Sequence, residues 1–394
     1  MKTREEIRNE IFALNKKYIL LALPTGMGKS RAALDVTFVT NSLIPPQVLI
    51  VYPKLNLKQN WIDEIKKWGY EEMLPNITFT TYASLDKHVD KQWDMILFDE
   101  GHHITERVLD IIGVMKYQRA MVLSATVKNN LRYRLMAIMP GLYTYRVRMV
   151  DAIQSDILPE PRIILWPLTY KTTGKTETIV KNAKLDVPVK EVCFENRNFC
   201  RDRKYKYTIP CTEAQYALYL DEEVEWYKRK ATGNQAMHNL WLHKAGERLK
   251  WLATQKTPYV LELLKKLETE RTLTFCASID QTEKVGKNCI HSKNKLAQDI
   301  LDSFNNKEIN HITACAMLDE GVNLASCRIG IFANINASER IQIQRVGRIL
   351  RHPNPIIIIP YFVGSREQEI ISAMLANYNK DLISVIKTPN DLTL

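Results

Sequence analysis

The chain has 394 residues, enough for two ordinary domains that each bury their own core. Hydrophobic residues make up 45%, which excludes a disordered chain, and no apolar run approaches the ~20 residues of a membrane-spanning helix. Lys and Arg total 55 against 44 Asp and Glu, and this formal net charge of +11 favours a polyanionic partner such as nucleic acid. The opening "MKTREEIRNE" is charged and has no apolar signal core, which argues against secretion. Seven Cys without a repeating spacing suit reduced thiols in a cytosol-like compartment.

In chain order, Ile19 to Leu23 reads as a short buried strand, followed by the turn Pro24-Thr25-Gly26-Met27-Gly28 and a helix from "KSRAALDVTFV". Strand, glycine turn and helix start form the context of a phosphate-binding loop, in which backbone N–H groups and the helix N-terminus face the anion. Lys29 reaches the terminal phosphates in that reading, and the Ser30 hydroxyl ligates Mg²⁺. The full pattern begins with a Gly where this chain has Leu23. That position belongs to the strand end, so the cradle of Gly26 and Gly28 is retained.

Val48 to Tyr52 reads as a second buried strand ended by Pro53-Lys54, with an amphipathic helix from about Leu57. "ITFTTYASLDK" adds a strand and a turn at Thr81. Met95 to Phe98 is an apolar strand that delivers Asp99 and Glu100 at its end. An acidic pair there suits Mg²⁺ held through Asp99 and water polarised by Glu100. "RAMVLSATVKN" is a further strand ending in Ser124-Ala125-Thr126.

The second half repeats the alternation of strands and helices, with strands at Leu273 to Cys276 and His311 to Cys315. In "QRVGRILR", Gln344, Arg348 and Arg351 share one helical face at spacings of four and three, and two guanidinium groups there suit a γ-phosphate held by the opposing domain. Between the halves, "PRIILWPLTY" reads as the first strand of the second domain and "KTTGKTETIVKNAK" as a polar hairpin or loop. Helices follow, opened by Thr212 and broken near Pro258. Their interleaved Lys228, Arg229, Lys230, Trp241, Arg248, Lys250 and Trp251 fit either a nucleic-acid grip or wedge, or a helical insert with a packed Trp stripe; the second is the simpler reading. Cys193, Cys200 and Cys211 lack zinc-site spacing.

The order Gly-Met-Gly-Lys-Ser, Pro-Lys-x-x-Leu, Asp-Glu-Gly-His, Ser-Ala-Thr and Gln-Arg-x-Gly-Arg-x-x-Arg resembles the superfamily 2 helicases of the DEAD/DEAH-like group, over residues 20 to 130 and 270 to 355. The pairing of "DEGH" with "QRVGRILR" is similar to the branch of restriction-enzyme motor subunits and phage and repair DNA helicases. The resemblance implies an α/β fold of two tandem RecA-like parallel-sheet domains, residues 1–150 and 151–394, with a mainly helical insert at about 171–265. It implies an ATP- and Mg²⁺-dependent helicase or translocase acting on nucleic acid, DNA in preference to RNA. The cytoplasm of a bacterium or a phage-infected host is the implied setting.

The resemblance also implies residue roles. Pro24 through Ser30 cradle the nucleotide, and Lys29, Asp99, Glu100, Gln344, Arg348 and Arg351 carry the chemistry. Gly321 and Asn323, in "LDEGVNL", face the nucleotide from the second domain. Pro53, Lys54, Thr81 and Ser278 grip the strand backbone. His102, Ser124 and Thr126 couple nucleotide state to that grip, while His103 has no matching role. Two departures stand out: the Thr usual near Cys315 and Ala316 is missing, and "REEIRNEIFALNKK" has no Gln to read adenine. A duplex translocase of the Swi/Snf type and a non-catalytic nucleic-acid clamp are the alternatives.

Overall fold

The computed structural model describes residues 2–39, 44–127, 129–170, 177–182, 206–315, 324–335, 338–376 and 378–394. Gly321 and Asn323, with the rest of "LDEGVNL" up to Asn323, lie outside the described residues, as do Cys193 and Cys200.

The first half contains β1 (Tyr18–Ala22), β2 (Val48–Tyr52), β3 (Ile77–Thr81), β4 (Gln92–Phe98), β5 (Lys116–Ser124) and β6 (Tyr143–Arg146). They form one parallel sheet in the order β3-β2-β4-β5-β1-β6. Its helices are α1 (Arg4–Ala13), α2 (Lys29–Phe38), α3 (Leu57–Lys67), α4 (Glu106–Val114), α5 (Asn129–Ile138) and α6 (Met149–Gln154). Helices cover both faces, so strands such as β1 and β2 are apolar throughout rather than alternating. Ile19, Leu21, Ile50 and Leu97 point to the side of Ala33, Trp61 and Ile65. Leu20, Val51, Ile96 and Val122 point to the side of Val108, Ile112 and Leu135.

The second half opens with β7 (Arg162–Leu168), as read from "PRIILWPLTY", then β8 (Glu177–Asn182) and β9 (Lys206–Cys211). β8 and β9 pair antiparallel, and the polar segment around residue 180 is thus half of a two-stranded ribbon. Helices α7 (Glu213–Lys230) and α8 (Gln235–Lys266) follow, then β10 (Thr272–Phe275), α9 (Ile279–Val285), β11 (Cys289–Ile290), α10 (Ala297–Asn305), β12 (His311–Ala314) and β13 (Ile329–Phe332). The series ends with α11 (Glu339–Ile349), β14 (Ile356–Phe362), α12 (Arg366–Leu375) and β15 (Ile383–Val385). The second sheet runs β11-β12-β10-β13-β14-β7-β15, again parallel. Among the described residues each sheet is built from one contiguous stretch of chain. A buried cluster passes between them through Ile153, Ile157 and Leu158.

α7 starts at Thr212, whose hydroxyl accepts from the Gln215 N–H while Gln215 bonds back, a reciprocal cap. The expected break at Pro258 is absent: α8 runs through it as one helix. Proline in a helix interior costs about 3 kcal/mol. Val260 and Leu263, both fully buried just beyond it, each contribute about 1.5–3 kcal/mol, which offsets that cost. Trp251 packs between Tyr170 and Tyr216, and Arg248 pairs with Asp221 at 2.8 Å, whereas Lys228, Arg229, Lys230 and Lys250 are exposed. Lys256 is buried and pairs with Glu367 of α12 at 2.5 Å. No helix among the described residues is long and apolar enough to cross a membrane.

Candidate active site

A parallel sheet gathers its loops at the C-terminal ends of its strands, and ligands bind in the crevice there. In the first sheet the ends of β1, β5 and β4 are neighbours, with Ala22 beside Ser124 and Phe98 beside Val122. The segments Pro24–Ser30, Asp99–Glu100 and Ser124–Thr126 therefore converge by topology.

Gly26 and Gly28 take φ of +88° and +79°, in the left-handed region that glycine enters without strain. Gly28 is the N-cap of α2 and has no side chain to cap the helix, so the first N–H groups of α2 face the cleft. An added Cβ on Gly28 would meet nothing within 4 Å, which leaves the concavity open. Leu23 is buried; its N–H donates to the Ser124 carbonyl, and its own carbonyl accepts from Lys29 Nζ at 2.9 Å. The chain tolerates Leu at this pattern position because the side chain points into the core and only the carbonyl faces the loop. Loss of water around Lys29 pulls its pKa below the usual lysine value, while Glu100 and Asp99 pull it back up.

Asp99 is oriented by three groups. Trp61 Nε1 donates to Oδ2 at 2.9 Å, the Glu100 N–H donates to Oδ1 at 2.9 Å, and Tyr82 OH donates to the Asp99 carbonyl at 2.7 Å. Burial raises the Asp99 pKa, opposed chiefly by the Trp61 bond and the Lys29 charge. Glu100 is buried and holds a left-handed backbone at φ +47°, uncommon for a residue with a Cβ. His102 Nδ1 lies 3.4 Å from Glu100 Oε2 and 3.4 Å from Ser124 Oγ, and the Ser124 hydroxyl donates to the Thr126 carbonyl at 2.7 Å. His103 lies against His102 with ring centres 4.4 Å apart and ring planes tilted by 39°.

The second domain supplies the opposite wall. Thr25 Oγ1 lies 3.5 Å from the Ile343 carbonyl of α11, and Arg340 NH1 donates to His102 Nε2. Arg348 and Arg351 line the same cleft of about 850 Å³ as Lys29, Asp99 and Glu100. Arg351 is not on the helix as its spacing implied. α11 closes at the C-cap Leu350, because Pro353 follows and a helix seldom runs up to a proline. Arg351 instead anchors one NH1 on the Leu324 carbonyl at 2.8 Å. Gln344 is not at the cleft surface. It is 1% exposed on α11, and its amide makes no hydrogen bond among the described residues.

The strand-gripping candidates stand at or just beyond the C-terminal ends of strands. Pro53-Lys54 follows Tyr52 at the end of β2, Thr81 is the paired end of β3, and Lys54 is exposed. Ser278, in the second domain, accepts from the Gln281 N–H as N-cap of α9. No motif marks Trp61, Tyr82 or Arg340, whose contacts at this site are made only by folding.

For a divalent cation, the donors beside the loop are the Ser30 hydroxyl and the Asp99 carboxylate, both hard oxygen ligands. Among the described residues no cluster of three or more His, Cys, Asp or Glu could hold a metal alone. That donor set fits Mg²⁺, which keeps several waters and takes one or two protein oxygens plus substrate phosphates.

Two family models match the chain in tandem: the res subunit of type III restriction enzymes over residues 2–129, and the helicase conserved C-terminal domain over residues 255–353. A curated relative, the DNA 3'-5' translocase XPB2 of Sulfurisphaera tokodaii, is 22% identical over 360 residues, covering 86% of this chain and 76% of the relative. Among solved structures, S. cerevisiae Dbp5 bound to RNA and ADP BeF3 aligns with a TM-score of 0.62 at 11% identity, covering 99% of this chain and 90% of that one. The Pyrococcus furiosus Hef helicase domain aligns with a TM-score of 0.52 at 12% identity, covering 94% and 97%. At these identities the structural likenesses carry the fold alone: two RecA-like domains in tandem. The two matched family models, in this order and on this fold, make the chain a superfamily 2 helicase, an ATP-hydrolysing enzyme that acts on nucleic acid.

Proposed function

We propose that the protein is a DNA motor, a helicase or translocase that couples ATP hydrolysis to movement along a strand. The observation that carries this reading is the cleft in which Lys29, Asp99 and Glu100 of one domain face Arg348 and Arg351 of the other. The preference for DNA is supported by the type III restriction and XPB2 relatives. We draw the domain division at residues 150/151, within α6 at the seam between the two sheets, and the insert at about 171–265. The thiols of Cys276, Cys289 and Cys327, which form no disulfide, support a reducing, cytoplasmic setting.

The nucleotide lies with its phosphates on the turn from Pro24 to Gly28 and the first N–H groups of α2. Lys29 leaves the Leu23 carbonyl for the β- and γ-phosphates. Ser30 and Asp99 would hold Mg²⁺, which would supply positive charge against the phosphates. Glu100 accepts a proton from, or orients, the attacking water. Arg348 and Arg351 stabilise the charge that grows as the γ-phosphoryl leaves, and this contribution vanishes when the second domain swings away. Gln344 belongs to the same α11 face as Arg348 and acts with it toward the nucleotide, and Gly321 and Asn323 add a second-domain contact to the nucleotide. Pro53, Lys54 and Thr81 on one domain and Ser278 on the other hold the strand backbone. His102, Ser124 and Thr126 connect that grip to the phosphate end. Opening and closing of the cleft then moves one grip relative to the other.

The test is ATP turnover with single-stranded DNA, duplex DNA, forked DNA and RNA compared side by side, with DNA affinity followed against salt. Stimulation by DNA, and binding that weakens steeply with salt as Lys and Arg contacts release counterions, are expected. Stimulation by duplex alone without unwinding would select the duplex translocase. Stimulation by RNA alone would overturn the DNA assignment, and binding without turnover would leave the clamp.

A further inference from the structure

Arg340 lies outside every motif described above, one helical turn before Gln344 on α11. Arg340, Gln344 and Arg348 recur every four residues and so share a face. Arg340 crosses to the first domain and donates from NH1 to His102 Nε2. A guanidinium carries donors only and keeps its proton at any ordinary pH, so Nε2 is the acceptor and the ring proton resides on Nδ1. Nδ1 in turn faces Glu100 Oε2 and Ser124 Oγ, each at 3.4 Å. The Ser124 hydroxyl donates its own proton to the Thr126 carbonyl at 2.7 Å, which leaves its oxygen as an acceptor for the imidazole. Donation therefore runs one way, from Arg340 through His102 to Ser124, and it places the Nδ1 proton on the side of the Glu100 carboxylate, 3.4 Å from Oε2.

We propose that Arg340 is a positioning residue for ATP hydrolysis, setting the His102 tautomer and thereby holding the Glu100 carboxylate in place while α11 is docked on the first domain. This rests on the nucleotide-cleft reading above. Three observations give it content. His102 is the side chain that bridges Arg340 and Glu100. Glu100 is buried in a left-handed backbone, with the His102 ring beside its carboxylate. α11 also touches the phosphate loop itself, through Thr25 and Ile343, so Arg340 arrives at His102 as Arg348 and Arg351 arrive at the cleft. Without Arg340 the imidazole loses a partner that fixes which nitrogen carries the proton, and the polar N–H edge of the ring no longer has to face the Glu100 carboxylate.

A residue that only glues the domains together would weaken nucleotide binding and would act independently of His102. The experiment is a double-mutant cycle of Arg340→Ala, His102→Ala and the pair, with DNA-stimulated kcat and KM for ATP measured on each, and Arg340→Lys as the conservative variant. Arg340→Ala is expected to lower kcat by about tenfold or more with KM for ATP within about twofold, the pattern of a lost transition-state interaction. In the His102→Ala background the same change should cost nothing further, since the path is already cut. Arg340→Lys, which keeps a charged donor, should recover part of the loss. Additive effects, a rise in KM alone, or an unchanged kcat in Arg340→Ala would overturn the proposal while leaving the nucleotide cleft intact. An inactive wild type with every nucleic acid would overturn the cleft reading and this proposal together.

Discussion

Gly347 of α11 lies directly over Thr25 of the phosphate loop: a Cβ at residue 347 would overlap the Thr25 hydroxyl and approach its Cβ to 2.8 Å. The glycine is what lets helix and loop meet across the domain boundary. Overpacking a close contact costs about 1–3 kcal/mol. Here the two surfaces belong to different domains, so separation can relieve it. Gly347→Ala should therefore cut ATP turnover by at least about tenfold, equivalent to roughly 1.4 kcal/mol, while each domain keeps its stability. Turnover and thermal unfolding on the same preparation check this; a variant that turns over normally would show that this approach is not used.

Lys29 and Glu100 should separate binding from chemistry. Lys29→Ala removes the cation beside the phosphates and should abolish turnover with little change in melting temperature. Glu100→Gln keeps shape and hydrogen bonding without the carboxylate; it should still bind ATP and hydrolyse it about 10²–10⁴-fold more slowly. Equilibrium ATP binding and single-turnover hydrolysis measure the two effects. Loss of binding in Glu100→Gln with normal turnover of what is bound would remove Glu100 from the chemistry.

Arg351 reaches the cleft from a turn, with one nitrogen on the Leu324 carbonyl. A lysine keeps the charge but not the planar fork that spans a carbonyl and a phosphate together. An arginine finger contributes about 10³–10⁵ in rate, so Arg351→Lys should cut turnover strongly. ATP affinity should stay within about tenfold, or 1.4 kcal/mol. DNA affinity should not change. If DNA binding alone is lost, "QRVGRILR" is a nucleic-acid face instead.

The Lys256–Glu367 pair joins the insert to the last helix of the second domain, and both side chains are nearly inaccessible. Removing one member strands a charge, which costs about 3–5 kcal/mol, whereas replacing both by apolar residues is often neutral or stabilising. Lys256→Met should lower the urea midpoint of the second domain, and Lys256→Met with Glu367→Leu should restore most of it. Equal losses in the single and double variants would mean that packing volume, not charge, decides stability there.

Much of the architecture was legible because buried parallel strands announce themselves as unbroken apolar runs. Val48 to Tyr52 was read at its true limits, and Asp99 and Ser124 stand at strand ends as their sequences implied. The local caps at Thr212 and Ser30's helix start were equally visible. What stayed hidden was tertiary. Nothing near Trp61 in sequence says that its indole will hold Asp99, and nothing near Arg340 says that it will find His102. Pro258 misled for the same reason, since the burial that carries α8 past it comes from distant strands. Arg351 departed from its helix because the spacing rule knows nothing of the proline two residues on.

The contiguity of each sheet bears on how the protein is made. The first sheet uses no strand beyond Arg146 and the second none before Arg162. During synthesis the first sheet can close while the second is still being translated, as chains that fold domain by domain do. Few strands then wait for distant partners with their edges bare. The cluster around Ile153, Ile157 and Leu158 is the exception, since it is complete only when both halves exist. A chain cut between residues 155 and 161 and expressed as two fragments should for that reason yield halves that each fold around their own sheet, and whose reassociation is driven by that shared seam.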